Sequence, residues 1–396
     1  MPLLSPHDGT RPLLPNRMNS NIAAHHRDTR LALGPLQHEA FLCVSVGTCA
    51  VFASCGPWLA AHFSSWPVLV LTLAWLFVTI LGASLSVIRH AEHLAGMLGE
   101  PYGTLILTLS VTVIEVTSIS AVMLHGESNP TLARDTLFAV VMIILNGMVG
   151  LSLLIGGLRH REQEHNLQGT NAYLSVAIPL IVMSLVLPTF TQTTSGPTLS
   201  AAQETFLVVV SVGLYATFLA MQTGRHRSYF AVPGDLAHAA ATRVHRKSIV
   251  VAAALLLAHM APAVYLAERM SEPLDFLIET LHAPVAFGGV ILAVLVATPE
   301  ALGAVRAAMA NRLQRSVNIC LGSLLSTIGL TVPAMILVSH VTGQRLALGI
   351  EHADLVMLLL TLAVSIVTFA SRRTHMLQGV VHLVLLAAYL LLIVQA

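Results

Sequence analysis

Two lone glutamates inside apolar segments are the residues best placed to do chemistry in this sequence. Glu115 lies in LTLSVTVIEVTSIS, and Glu300 lies in AFGGVILAVLVATPEALGAV. Each follows a glycine by 12 residues, and one separation of 185 residues relates Gly103 to Gly288 and Glu115 to Glu300. A charge at the centre of a membrane helix costs about 2.5–3.5 kcal/mol on insertion scales. A costly residue that occurs twice at the same offset indicates a functional pair rather than two structural acids.

A pair of carboxylates predicts a binding site for a hard cation. Carboxylate, hydroxyl and backbone carbonyl oxygens suit Ca²⁺ and suit softer metals poorly. When the cation leaves, two like charges in a low dielectric cannot both remain ionised, so protons take its place. The doubly charged empty site is too costly to reorient in a membrane, whereas the loaded or protonated site can reorient. Glu115 and Glu300 are therefore predicted to bind Ca²⁺ and H⁺ in competition.

Further oxygen ligands are expected from polar residues near the two acids. In the first segment a polar stripe recurs at helical spacing, and a second polar run follows Glu300 in the next segment. The predicted cation- and proton-binding residues besides the acids are Thr112, Ser118, Thr298, Asn146, Ser323 and Ser326. A structural interpretation competes for the hydroxyl residues, because Ser and Thr in membrane helices often bond the carbonyl four residues earlier.

The elements that would carry these residues are membrane-spanning helices. Of the 396 residues, 55% are hydrophobic and 10% are charged, whereas soluble domains carry about a quarter charged residues. About 20 apolar residues cross the hydrocarbon core. The sequence predicts an all-α membrane protein with about eleven spans, near residues 39–63, 66–88, 103–125, 132–158, 172–190, 203–223, 248–267, 283–309, 316–341, 352–370 and 376–395.

The distribution of positive charge predicts the orientation of the spans. If the N-terminus is inside, 17 of the 20 Lys and Arg residues fall on the cytoplasmic side, and only Arg134, Arg269 and Arg345 fall outside. We therefore expect a multi-pass membrane protein with a cytoplasmic N-terminus and an external C-terminus. Residues 1–37 lack an apolar stretch, so they predict a disordered cytoplasmic tail rather than a signal peptide.

The repeated acids also predict an internal symmetry. An odd number of crossings separates span 3 from span 8, so the two acidic spans run in opposite directions. Two inverted five-helix repeats plus an extra N-terminal helix follow, an architecture that transporters use for alternating access. The predicted organisation is a tail (1–37), an N-terminal transmembrane helix (38–64), repeat 1 (65–223), a cytoplasmic loop (224–247) and repeat 2 (248–396).

Several segments resemble a known transporter family. RHAEHLAGMLGEPYGTLILTLSVTVIEV, PTLARDTLFAVVMII, APVAFGGVILAVLVATPEALGAVRAAMANRLQRSVN and LGSLLSTIGLTVP resemble the bacterial ChaA-type calcium/proton antiporters of the Ca²⁺:cation antiporter superfamily. The resemblance extends from span 1 to the C-terminus. It implies an eleven-span fold with two inverted halves in the bacterial cytoplasmic (inner) membrane, and acids that map onto Glu115 and Glu300. It also implies exchange of Ca²⁺ for H⁺, with Na⁺/H⁺ and K⁺/H⁺ exchange in similar proteins.

The sequence departs from the superfamily at the acids and in the central loop. The superfamily pattern is GNATE or GNAAE, so its Asn is replaced here by Thr112 and Ala297. Fewer oxygen ligands favour weaker divalent binding, and a mainly monovalent Na⁺ or K⁺/H⁺ antiporter is the alternative function. The loop 224–247 carries cations and histidines where relatives carry acids, so calcium sensing by this loop is not expected.

Five histidines near the cytoplasmic side are candidate pH sensors, since imidazole titrates near neutral pH. They are His90 and His93 at the inner end of span 2, and His226, His238 and His245 in the loop. A solvated helix end is the competing interpretation for His90 and His93.

Other functional classes find less support. No GxSxG or HExxH motif occurs, which argues against a membrane hydrolase or any other enzyme. A receptor or scaffold would not require two mirrored acids. A net charge of +1 without a basic stripe argues against nucleic acid. The expected partners are the lipid bilayer and the transported ions, with no cofactor, and a homo-oligomer is left open.

Overall fold

Eleven helices are long and apolar enough to cross a membrane among the residues that the structure describes. The structure is a computed structural model that describes residues 35–99, 102–124, 130–194, 196–231, 246–281 and 283–395. The predicted number of spans is confirmed. In chain order, spans 1 to 11 are Ala40–Ala61, Trp66–Leu98, Tyr102–Leu124, Leu132–His160, Leu167–Phe190, Ala201–Thr223, Ser248–Thr280, Val285–Met309, Leu313–Thr342, His352–Phe369 and Met376–Gln395.

Spans 2 and 7 are longer than predicted. Each has 33 residues, which corresponds to about 50 Å of helix, more than the roughly 30 Å of hydrocarbon. The prediction ended span 2 where the apolar residues end, but the polar RHAEHLAGML that follows continues the helix to Leu98. The two long helices are the first helices of the two repeats, and they pack against each other.

In the part of the chain that the structure describes, four spans contain a π-helical turn. These turns are Ile143–Met148, Val182–Val186, Phe276–Thr280 and Thr327–Thr331. The first and the last lie in spans 4 and 9, which are counterparts in the two repeats. Single π turns inside helices frequently occur at functional sites. Spans 4 and 9, which follow the two acidic spans, are therefore candidates to contribute to a functional site.

Span 8, which carries Glu300, lies against span 4 through a glycine. A Cβ atom at Gly289 would lie 2.9 Å from the carbonyl carbon of Asp135 and 2.9 Å from the amide nitrogen of Thr136. Such a distance is too short for any side chain, so only glycine permits this approach. The contact places the acidic helix of repeat 2 against the innermost helix of repeat 1.

A two-stranded sheet joins the connections at one end of the bundle. Strand β1 (Glu162–Glu164) pairs antiparallel with strand β2 (Arg373–His375). Gln163, which is buried in β1, donates from Nε2 to the carbonyl oxygen of Ala308 at 2.8 Å. Such short strands give no periodic signal, and they were not predicted. We call this end of the molecule, where span 4 ends and span 9 begins, the sheet end.

Ionic contacts hold the opposite end together. Arg134 Nε lies 2.7 Å from Asp135 Oδ1, and Arg134 Nη2 lies 3.5 Å from Glu351 Oε1. Arg134 Nη1 also donates to the carbonyl oxygen of Gly349 at 3.2 Å. Both Arg134 and Asp135 are buried, so span 4 begins in contact with the start of span 10.

Candidate cation site

Glu115 is buried against the π turn of span 9. Its side chain is 2% exposed, and Oε2 accepts hydrogen bonds from Thr331 Oγ1 at 2.7 Å and from Thr327 Oγ1 at 3.2 Å. The other oxygen, Oε1, is buried without a hydrogen-bond partner among the described residues. A buried oxygen without a partner is costly, so Oε1 is available to a proton or a cation.

Glu300 is the corresponding acid on span 8. Its Oε2 is also buried and lacks a hydrogen-bond partner in the described part of the chain. The two acids come from helices that contact each other. The site therefore contains two neighbouring carboxyl groups, each with an unpartnered oxygen, and two hydroxyls that hold only one of the groups.

A cavity of about 310 Å³ reaches Glu300 from the sheet end. Its lining comes from the halves of spans 2, 3, 5, 6, 8 and 9 nearest to that end, and it includes Ser323, Ser326, Glu92 and Arg315. Glu115 is not among the lining residues. The structure thus presents one acid to a path from one side of the molecule and keeps the other acid behind it.

Several predicted ligands use their hydroxyl hydrogens within their own helices. Ser118 Oγ donates to the carbonyl oxygen of Ile114 at 2.7 Å, and Thr298 Oγ1 donates to that of Val294 at 2.5 Å. Ser326 Oγ donates to the carbonyl oxygen of Ser323 at 2.9 Å. These bonds fit the structural interpretation of hydroxyls in membrane helices. Thr112 is buried one turn before Glu115.

Asn146 lies in a separate buried network. Its Nδ2 donates to Thr361 Oγ1 at 2.9 Å, and its Oδ1 lies 3.1 Å from Nδ1 of His382. His382 Nε2 lies 3.0 Å from Thr368 Oγ1. The π turn of span 4 therefore directs Asn146 toward spans 10 and 11, whereas the corresponding turn of span 9 directs Thr327 toward Glu115.

The candidate pH-sensing histidines are distributed over different environments. His90 stacks on His259 of span 7, with ring centroids 4.5 Å apart, and His93 is exposed. His226 lies against Tyr229 with centroids 5.0 Å apart. His238 and His245 lie outside the described residues. The contact between His90 and His259 joins the long first helices of the two repeats.

Thr331 is the site residue that sequence reasoning missed. Thr327 is also absent from the predicted ligands. The two threonines are four residues apart, a spacing that places them on one face of a helix, and that spacing was a usable signal. The π turn, which directs both toward Glu115, leaves no such signal.

Comparison with known proteins identifies the family of this chain. The family described as sodium/calcium exchanger protein matches residues 68–224 and 251–395. This chain belongs to that family, within the Ca²⁺:cation antiporter superfamily. The expected eleven-helix architecture with two inverted halves is confirmed.

Named relatives are similar over most of their length. The chain is 44% identical to the putative ionic transporter y4hA of Sinorhizobium fredii, over 78% of this chain and 85% of that protein. It is 37% identical to the sodium-potassium/proton antiporter ChaA of Escherichia coli, over 83% and 90%. It is 23% identical to the Ca(2+)/H(+) antiporter ChaA of Bacillus subtilis, over 83% and 92%.

Solved structures share the fold. Native YfkE has a TM-score of 0.66 at 20% identity and covers 89% of this chain and 97% of its own. The H+/Ca2+ exchanger CAX has a TM-score of 0.66 at 16% identity, with coverage of 90% and 88%.

Proposed function

We propose that this protein exchanges a cation for protons across the bacterial cytoplasmic membrane, with Glu115 and Glu300 as the shared binding site. One observation supports this above all: two carboxyl groups lie on oppositely directed helices that contact each other, and each has a buried oxygen without a partner among the described residues. Oxygens in this arrangement can bind a cation between them or bind protons, but two bare carboxylates are too costly.

The direction of access follows from the charge distribution. The positive-inside rule assigns the sheet end to the cytoplasm, and the cavity reaches Glu300 from that end. We infer an inward-facing state, in which Glu300 exchanges ions with the cytoplasm while the contacts of Arg134 close the other side. Alternating access would then transfer the site to the opposite opening.

For the transported ion, Ca²⁺ is our first candidate. Two carboxylates balance one divalent charge, and the hydroxyls of Thr327 and Thr331 add hard oxygen atoms. Relatives at low identity carry the name Ca(2+)/H(+) antiporter. The described residues contain no group of three or more His, Cys, Asp or Glu side chains that could hold a metal. Further ligands for Ca²⁺ would therefore come from hydroxyls, carbonyls and water.

A monovalent Na⁺ or K⁺/H⁺ antiporter is the second candidate. Thr112 and Ala297 stand where the superfamily pattern has Asn, which removes two amide oxygens. A relative at 37% identity is named a sodium-potassium/proton antiporter. Both observations favour a site with a weaker requirement for divalent charge.

Exchange in everted membrane vesicles tests the function and the ion together. A respiration-driven pH gradient is established, and its dissipation is followed after addition of CaCl₂, NaCl or KCl. We expect the wild-type protein to dissipate the gradient, and Glu115→Gln and Glu300→Gln to abolish exchange at normal expression. The control Glu162→Gln, in strand β1, should remain active. Full activity of Glu300→Gln would contradict the proposed site.

A further inference from the structure

Two charged residues besides Glu300 line the cavity among the residues that the structure describes. Glu92 comes from span 2, and Arg315 comes from the start of span 9. None of the ion pairs among the described residues includes either of them. A cation that approaches Glu300 from the sheet end therefore passes a guanidinium that forms no ion pair with a described carboxylate.

Arg134 shows the contrasting arrangement at the other end. It begins span 4, the predicted counterpart of span 9. It aligns with Arg315 once the connection between spans 3 and 4, four residues longer than that between spans 8 and 9, is allowed for. Arg134 is buried and is held by Asp135 and Glu351. The arginine at the closed end is thus neutralised by carboxylates. The arginine in the open cavity forms no ion pair, so its positive charge contributes to the potential there alongside the opposite charge of Glu92.

The walls of the cavity strengthen this potential. Ile88, Leu107, Tyr215 and Phe218 line it together with the charged residues. Low-dielectric walls concentrate the field of a charge into the aqueous space between them. Arg315 is therefore placed to influence every ion in the cavity without touching the site at Glu300.

We propose that Arg315 determines the cation selectivity of this entrance by opposing divalent ions more strongly than monovalent ions, while Glu92 acts in the opposite direction. This inference rests on the proposed exchange function. The energy of an ion in a potential is proportional to its charge. If Arg315 lowers the apparent affinity for a monovalent ion by a factor f, it lowers that for a divalent ion by f².

A chemical probe can measure the potential without any transport. Ser323, which lines the cavity, is changed to cysteine in a background whose four native cysteines, Cys43, Cys49, Cys55 and Cys320, are replaced by alanine. The rates of reaction with cationic and neutral methanethiosulfonate reagents are compared in everted vesicles. Arg315→Gln should raise the cationic-to-neutral rate ratio about threefold at low salt. Glu92→Gln should lower this ratio.

Transport then tests selectivity. The apparent KM of each transported cation is measured for wild type, Arg315→Gln, Arg315→Lys and Arg312→Gln, since Arg312 is exposed nearby but does not line the cavity. Arg315→Gln should lower the KM for Na⁺ or K⁺ by the factor found with the reagent, about threefold, and that for Ca²⁺ by its square, about tenfold. Arg315→Lys should behave as wild type, and Arg312→Gln should change little.

The outcomes are distinct. A KM shift that follows the ionic charge supports the role of Arg315, even if only one kind of cation is transported, because the reagent supplies f independently. An unchanged reagent ratio, or a KM shift unrelated to charge, overturns it. Failure of the wild-type protein to exchange any cation would instead refute the proposed function.

Discussion

Thr331 donates its hydroxyl hydrogen to Glu115 Oε2 at 2.7 Å, and this bond joins the two repeats at the candidate site. Thr331 belongs to the second repeat, and Glu115 belongs to the first. Asn146, the counterpart of Thr327 in repeat 1, makes no such bond to Glu300, the symmetric acid, because its amide is engaged by Thr361 and His382. The site is therefore asymmetric in this state: one carboxyl group is fixed, and the other faces the cavity.

The threonine bonds predict a graded effect on ion affinity. A hydrogen bond to a charged group contributes about 1.5–3 kcal/mol, so Thr331→Val should weaken the apparent affinity for the transported cation by about tenfold or more. Thr327→Val should have a smaller effect, because its bond is longer, at 3.2 Å. Thr298→Val is the matched control, since its hydroxyl bonds its own helix. Equal KM values for Thr331→Val and Thr298→Val would contradict this role.

The position of the cavity predicts that the two acids differ in accessibility. In the cysteine-free background, a cysteine in place of Glu300 should react with a membrane-impermeant thiol reagent added to the cytoplasmic face. A cysteine in place of Glu115 should react far more slowly, because this position lies behind the cavity. Mass spectrometry of labelled protein measures both rates. Faster labelling at position 115 than at position 300 would exclude the inward-facing arrangement described here.

The large features of the fold could be predicted from the sequence, because length, hydropathy and charge are properties of single segments. The number of spans, and the pairing of Glu115 with Glu300 by a common offset, needed no knowledge of packing. The partners of these residues depend on the rotation of each helix, which a π turn changes without leaving a compositional signal. Thr331 was missed for this reason.

The hydrogen-bond partners of Asn146 could not be predicted from the sequence either. Its type and its place in span 4 predicted a cation ligand, and that role stays a prediction, although its amide is satisfied elsewhere in this state. Polar residues inside a membrane bundle must find partners, but the sequence does not specify which neighbour provides them. Contacts between distant spans decide that choice.

The approach of spans 4 and 8 predicts a stability effect at one glycine. Gly289→Ala should destabilise the protein by about 1–3 kcal/mol, because the new methyl group would meet the backbone of Asp135 and Thr136. Gly213→Ala is the control, since no atom lies within 4 Å of a Cβ at that position. Thermal unfolding in detergent, followed by size-exclusion fluorescence, compares the two variants. A transition temperature for Gly289→Ala equal to that of Gly213→Ala would show that the helices can separate without cost.

His165 predicts a pH dependence of stability that is separate from transport. It lies between spans 4 and 5, it is 3% exposed, and both ring nitrogens lack a partner among the described residues. Burial lowers its pKa from 6.5 to about 4. Between these two values the unfolded chain binds a proton at this imidazole and the folded chain does not. The contribution of the neutral imidazole is therefore complete above about pH 6.5 and is lost as the pH falls toward about 4.

Replacing His165 by leucine should remove this component. Between pH 7.5 and pH 5 we expect the transition temperature of the wild-type protein to fall more steeply than that of His165→Leu. The underlying loss in the free energy of unfolding is up to about 1.4 kcal/mol for each pH unit below about 6.5. His375→Gln, an exposed histidine in strand β2, should keep the wild-type slope. Parallel pH profiles for the wild-type protein and His165→Leu would mean that the buried imidazole accepts a proton without cost. That result would conflict with its apolar surroundings, where its ring centroid lies 5.5 Å from that of Phe369.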